Sequence, residues 1–203
     1  KAFIGHLDHI CFYDTGSGDD TITLAKKHLT DDASGQEHYE VVKEKDMEDH
    51  DKYINIPPVC SNIIVEGYWD DNFSAARNRA LDYLLEYDVD WVCWGDLDER
   101  LTNPYRMKKY LKGDLELYNG FRMVQYQFLS DIPQNTRDYP VRLFRANKEY
   151  CFTGLIHEQI TKSLNEDIWP LFMIPPDDMQ FLHYGYMSEA IRRDKAINRN
   201  FAL

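Results

Sequence analysis

Trp91-Val92-Cys93-Trp94-Gly95-Asp96-Leu97-Asp98-Glu99-Arg100 is the stretch on which the reading of this chain turns. Its four leading residues are apolar and favour extended backbone, which predicts a buried strand. The two carboxylates that follow stand at i and i+2. If the backbone stays extended through them, Asp96 and Asp98 point to one face of the sheet. Oxygen ligands at a strand end suit a hard divalent cation, Mg²⁺ or Mn²⁺. Such an ion is held through one or two carboxylates together with substrate phosphates, so the pattern points to a nucleotide substrate. Asp-x-Asp is common, and acidic residues after a strand also cap helices or face water. Here Glu99 adds a third carboxylate, and crowded carboxylates repel unless a cation or a proton intervenes. Strand C-terminal edges are also where open α/β sheets bind ligands.

Upstream, residues 10–13 (Ile-Cys-Phe-Tyr) predict a short buried strand. It runs into Asp14-Thr15-Gly16-Ser17-Gly18-Asp19-Asp20, a polar turn with two glycines. A helix is expected over 21–29, with Ile22, Ala25 and Leu29 on one side. Strand, turn and helix make half of an α/β unit. The segment 31–59 holds the nearly all-charged run 43–52 and ends at Pro57-Pro58, so it reads as a solvated insertion with room for a helical spell. A further short strand is expected over 61–65. The clearest helix opens at 72–81, capped by Asn72 or Ser74. Pro104 starts another, reaching Leu111.

Beyond Tyr118 the pattern turns to strands. Residues 120–128 alternate loosely, and 141–144 and 150–152 read as two arms joined across Asn147-Lys148. The tail 188–203 is a candidate basic amphipathic helix. The expected organisation is one α/β domain over residues 1–203 with the 31–59 insertion.

Composition narrows the function classes. The 203 residues are 43% hydrophobic, enough for a proper core and against disorder. Lys and Arg number 23 against 35 Asp and Glu, a net charge of −12, which disfavours a broad footprint on nucleic acid or anionic membrane. Cys11, Cys60, Cys93 and Cys151 form neither a CxxC pair nor a zinc spacing, which fits reduced thiols in a cytoplasmic protein. No run approaches 18 apolar residues, so no transmembrane segment is expected.

Other candidate site residues follow from chemistry. Asp14 in its turn can accept hydrogen bonds from a base imide or a ribose hydroxyl. No GxGxxG fingerprint or P-loop is present, which disfavours a dinucleotide oxidoreductase and a Walker-type ATPase. Arg77 near a helix start offers an anion site, although surface arginines are common there. Asn78 beside it can hold loop backbone. His157-Glu158 is not HExxH, since Thr161 stands where the second histidine belongs. Glu158 can serve as a general base. His183, otherwise read as a structural histidine, can complete a carboxylate site for Mn²⁺.

Six segments together resemble the family 2 glycosyltransferases, which have the GT-A fold, and more narrowly their SPBc2-like or TPR-associated branch. They are residues 13–17 with Asp19 and Thr21, then 71–78, 91–99, 142–145, 152–158 and 183–186. Their order and rough spacing are the family's, over about residues 3–200. The resemblance implies a single Rossmann-like mixed central sheet flanked by helices. The family's first strand has no counterpart before Lys1, so this sheet is expected without it.

The resemblance also implies roles. Asp98 binds the metal, and Asp96 contacts the ribose and supports the metal. Asp14 holds the nucleotide base, Arg77 sits near the base or diphosphate, and His183 completes the metal and diphosphate site. Glu158 is the acceptor-side base, with Glu99 a weaker alternative. The implied reaction is an inverting transfer from a nucleotide-diphosphate sugar, with Mn²⁺ or Mg²⁺, to a hydroxyl of a glycan, lipid-linked sugar, peptide or small molecule. Trp69, Tyr139 and Trp169 are candidates for stacking on a sugar. A sheet edge left without its first strand would be open to a homo-oligomer. Two rival readings are a catalytically silent nucleotide-sugar or glycan binding module and a sugar-nucleotide pyrophosphorylase, the latter lacking its usual Gly-rich basic loop here.

Overall fold

The apolar run Ile63-Ile64-Val65 is buried almost completely, and the first sheet is built around it. The computed structural model describes residues 6–30, 34–44, 62–129, 136–155, 158–163 and 166–187. The candidate helix at 188–203 and most of the charged run 43–52 lie outside them. The chain divides into two compact units, one comprising Phe3–Asp90 with Ala146–Glu158, the other Trp91–Arg145 with Gln159–Leu203.

In the first unit, β1 (Ile10–Asp14) leads through the glycine turn to α1 (Thr21–Leu29). Two further strands follow, β2 (Tyr39–Lys43) and β3 (Asn62–Glu66). β3 lies between β1 and β2, parallel to both, with Asn62 opposite Ile10 and Tyr39. A strand at Tyr39–Lys43, half exposed, lies within the segment 31–59 that reads as a solvated insertion, most of the rest of which is outside the described residues. Its Val41 and Val42 have the β-branched shape that suits a pleated surface.

α2 (Phe73–Leu85) begins where expected, and Asn72 is its cap, accepting from the Ala75 amide at 3.0 Å. Tyr83 of α2 and Tyr87 pack with Ile63 and Val65 against Cys11, Tyr13, Val42 and Val89. Asn78 clamps strand 151–153, donating to the Phe152 carbonyl at 2.9 Å and accepting its amide at 2.6 Å.

The second unit opens with β4 (Trp91–Cys93) and β5 (Glu99–Leu101). A 3₁₀ turn at Pro104–Arg106 runs into α3 (Met107–Tyr110). Then come β6 (Gly120–Arg122), β7 (Val124–Gln127), β8 (Thr136–Asp138) and β9 (Val141–Arg145). Strand 151–153 of the first unit is β10. The rest are β11 (Gln159–Ser163), β12 (Glu166–Asp167), β13 (Leu171–Met173) and β14 (Gln180–His183). One sheet runs β13-β6-β9-β4 and another β5-β14-β7-β8. Phe121, Met123, Phe144, Ile174, Met179 and Phe181 are fully buried in this unit.

The expectation of a single Rossmann-like mixed sheet flanked by helices is overturned. The described strands fall into four small sheets of three or four strands, and the described α-helices are three and short. The cause is visible where apolar runs break. Residues 120–128 are cut at Met123, whose amide makes the last bond to the β9 side, to the Pro140 carbonyl at 3.1 Å. Pro140 has no amide to continue pairing. The β6–β9 register also slips between Phe121 and Arg122. The hairpin expected from 141–144 and 150–152 is replaced as well: β9 pairs with β4 and β6. Among the described residues no helix is long and apolar enough to cross a membrane.

Candidate functional site

In the second unit β4 ends at Cys93, and residues 94–98 form an irregular turn before β5. The shared-face argument for Asp96 and Asp98 therefore fails, because the backbone does not stay extended. Asp98 turns toward β14 and brings its Oδ2 to 3.2 Å from His183 Nε2. Its carbonyl accepts the Tyr184 amide at 2.9 Å. The other ring nitrogen, Nδ1, lies 3.3 Å from the Gln125 side-chain amide on β7. His183 is buried and Asp98 partly exposed, so the pair presents one carboxylate to solvent over an imidazole held on both nitrogens.

Asp96 is exposed. Its amide donates to Glu99 Oε2 at 2.9 Å, and its carbonyl accepts the Glu99 amide at 3.1 Å. Glu99 is buried, and its Oε1 takes Arg142 Nη2 at 2.6 Å. Burial raises the Glu99 carboxyl above its ordinary value; the Arg142 guanidinium opposes the shift and the Asp96 charge adds to it. With one oxygen on the Asp96 amide and the other on Arg142, Glu99 holds the turn.

The first unit carries the other three predicted residues. Asp14 ends β1 buried, and its Oδ2 accepts the Gly16 and Ser17 amides at 3.0 and 2.9 Å. Asp14 thus closes its own turn, in which Gly16 has a φ of +104° that a side chain would strain. Arg77, in the first turns of α2, forms an ion pair with Glu158, and both side chains are largely buried. The guanidinium also lies over the Phe73 and Phe152 rings, at 5.9 and 6.0 Å.

The metal-binding expectation is corrected here. Among the described residues, no three His, Cys, Asp or Glu side chains gather where they could hold a metal ion. The multi-sheet architecture removes the GT-A assignment alongside it.

Three groups escaped the sequence reading. Gln125 was one letter in a loosely alternating strand. Arg142 did carry a signal: an arginine inside Val141-Arg142-Leu143-Phe144 must find a buried carboxylate or leave a charge in the core. In the first unit Arg79 binds Asp70 with two nitrogens, at 2.9 and 3.2 Å, and reaches the Tyr13 hydroxyl at 2.7 Å. Tyr13 in turn donates to the buried Glu44, and burial with that carboxylate pushes its phenol well up.

No protein-family model matches the chain, and no curated protein matches it.

Proposed function

We propose that the protein transfers a sugar from a nucleotide-diphosphate sugar to an acceptor hydroxyl. The observation that carries the reading is the meeting of Asp98 and His183, which lie 85 residues apart in sequence. Those two positions come from two of the six segments that resemble the glycosyltransferases. At the end of β14, a protonated imidazole can donate to a phosphate oxygen, and the carboxylate can accept from a sugar or ribose hydroxyl.

A protein-built metal centre is not part of this proposal. Mn²⁺ or Mg²⁺ would arrive with the donor and would neutralise the charge of the leaving diphosphate. Asp14, Arg77 and Asp96 keep their donor roles on the resemblance alone. The acceptor oxygen attacks C1 of the sugar, the C1–O bond to the diphosphate breaks, and the acceptor proton goes to Glu158. A single displacement of this kind inverts the anomeric centre. The acceptor is a glycan, lipid-linked sugar, peptide or small molecule. A cytoplasmic setting belongs to the same reading, through cysteines without disulfide or zinc spacing.

One observation favours a second reading. Glu158 is engaged by Arg77, and that ion pair has to open before the carboxylate can take a proton. A module that binds nucleotide sugar or glycan without turnover needs no such opening.

The test is a panel of UDP-, GDP- and TDP-sugars, each with Mn²⁺, Mg²⁺ or chelator, reading binding by calorimetry and release of nucleoside diphosphate. Release with at least one donor, lost in Asp98→Ala, is the expected result. Binding without release selects the silent module. Pyrophosphate made from sugar phosphate and nucleoside triphosphate selects the pyrophosphorylase. Neither binding nor release from any donor overturns the proposal.

A further inference from the structure

The turn 94–98 joins β4 to β5, and strand pairing holds its two ends: the Trp94 amide donates to the Arg142 carbonyl at 3.1 Å, and the Asp98 carbonyl accepts the Tyr184 amide at 2.9 Å. Between those ends the backbone is irregular and needs a side chain to fix it. Glu99 is placed to do so: one oxygen faces the Asp96 amide, the other faces Arg142. The Arg142 side chain is 1% exposed and lies 3.8 Å from the Trp94 ring centre and 4.6 Å from that of Phe181. Two of its nitrogens, Nε and Nη1, are buried without a hydrogen-bond partner.

A buried guanidinium with unpartnered nitrogens is costly. Its charge is balanced by Glu99 and by the two ring faces. Gly95 tightens the same assembly. A Cβ there would sit 2.9 Å from the Phe181 ring and 3.5 Å from Glu99 Oε2, so the main chain of the turn rests directly on Phe181. Trp94 is fixed from the other side, its indole donating to the Val141 carbonyl at 2.7 Å. Trp94, Gly95 and the Asp96 amide thus each rest on Arg142 or on a group that touches it, while Asp98 meets His183 and Tyr184.

The geometry points to Arg142 as a positioning residue: by holding Glu99 between Trp94 and Phe181 it fixes the Asp96–Asp98 turn and so the approach of Asp98 to His183. Arg142 reaches no solvent and touches no substrate. It acts through Glu99 Oε2 on the Asp96 amide, and through the turn on the Asp98 carbonyl that receives the Tyr184 amide. Its consequence for turnover rests on the sugar-transfer reading; its consequence for the turn does not.

The experiment is amide hydrogen exchange on the full chain, comparing wild type with Arg142→Met, Arg142→Lys and Glu99→Gln. The Asp96 and Tyr184 amides report the turn. The Ile174 amide, held by the Arg122 carbonyl at 2.9 Å, reports the rest of the unit. Arg142→Met is expected to speed exchange at Asp96 and Tyr184 at least tenfold more than at Ile174. Arg142→Lys keeps a donor for Glu99 and should restore part of the protection. Glu99→Gln keeps one acceptor oxygen of two, and should speed exchange at Asp96 more than at Tyr184.

If Arg142→Met does not fold, Arg142→Lys and Glu99→Gln decide. Unchanged exchange at Asp96 in every folded variant overturns the assignment. Equal acceleration at Ile174 also overturns it, since it would mean general loosening. With a donor found for the wild type, Arg142→Lys should lower kcat more than it raises KM. A wild type that turns over no donor defeats the sugar-transfer reading and leaves the exchange result standing.

Discussion

Arg142 in the second unit and Arg79 in the first each meet a carboxylate and two aromatic rings, yet they are held in opposite ways. Arg142 makes one hydrogen bond, to Glu99, and leaves two nitrogens unpartnered. Arg79 spreads its three nitrogens over Asp70, the Tyr13 hydroxyl and the Tyr68 carbonyl, and lies 4.2 Å from the Tyr68 ring centre. A guanidinium with several acceptors can lose one and keep the others, and here the acceptor Asp70 is itself a third exposed. A guanidinium sealed in a core with one carboxylate cannot. The first arrangement gives tolerance. The second gives a fixed geometry whose parts stand or fall together.

The largest effect follows from removing the single partner. Glu99→Ala should cost about 3–5 kcal/mol, since it strands the Arg142 charge in the core. Urea unfolding of wild type and variant measures it. A loss below about 1 kcal/mol would mean that water or another group reaches Arg142, and the contrast with Arg79 would disappear. The double variant Glu99→Leu with Arg142→Met should recover most of the loss, because an apolar pair removes the buried charge altogether.

A steric change comes next. Gly67 lies against the Tyr13 ring so closely that a Cβ would overlap it. Gly67→Ala therefore has to push Tyr13 off the Arg79 and Glu44 contacts, at a cost of about 1–3 kcal/mol. Asp70→Ala should cost less, at most about 1 kcal/mol, because Asp70 is a third exposed and Arg79 keeps Tyr13 and the Tyr68 carbonyl. Thermal unfolding of the two variants side by side checks the order. A loss in Asp70→Ala equal to that in Glu99→Ala would break the comparison.

The contrast also explains what the sequence disclosed. The α2 cap at Asn72, the helix start at Pro104 and the glycine turn after β1 are decided within a few residues, so local chemistry exposes them. β2 was hidden because its partner, β3, lies about twenty residues further on, across a charged run that reads as solvent-facing. The breaks at Met123 and Gly95 were hidden too. Their cause is the long-range meeting of Met123 with Pro140 and of Gly95 with Phe181. For the six predicted site residues, spacing and resemblance did not disclose their partners. Nothing local says that Arg77 meets Glu158, or that Asp98 finds His183 and not Asp96. The arginine in the apolar strand 141–144 was the legible sign of a buried carboxylate, but nothing local pointed to Glu99, 43 residues away.

Asp178 gives the smallest effect at neutral pH and the cleanest one in acid. It accepts from Lys109 at 2.7 Å, from the Tyr110 hydroxyl and from Arg106 at 2.5 Å. The Lys109 contact, then the Tyr110 contact, lowers its carboxyl to about 2. An unfolded aspartate titrates near 3.9 by contrast. A carboxyl lowered on folding contributes stability that is complete above the unfolded value and is lost as pH falls through the folded one. The wild type should therefore lose the Asp178 contribution between about pH 4 and pH 2, whereas Asp178→Asn has no such contribution to lose. The gap in melting temperature between the two should stay level above pH 5 and narrow steadily below pH 4. Taking the difference removes every carboxyl the two proteins share, including Glu40 and Asp82, whose burial raises them and gives the opposite slope. A gap that stays constant down to pH 2 would mean that Lys109, Tyr110 and Arg106 hold Asp178 no better than water does. The tolerance read into clusters with several partners would then extend to having no electrostatic effect at all.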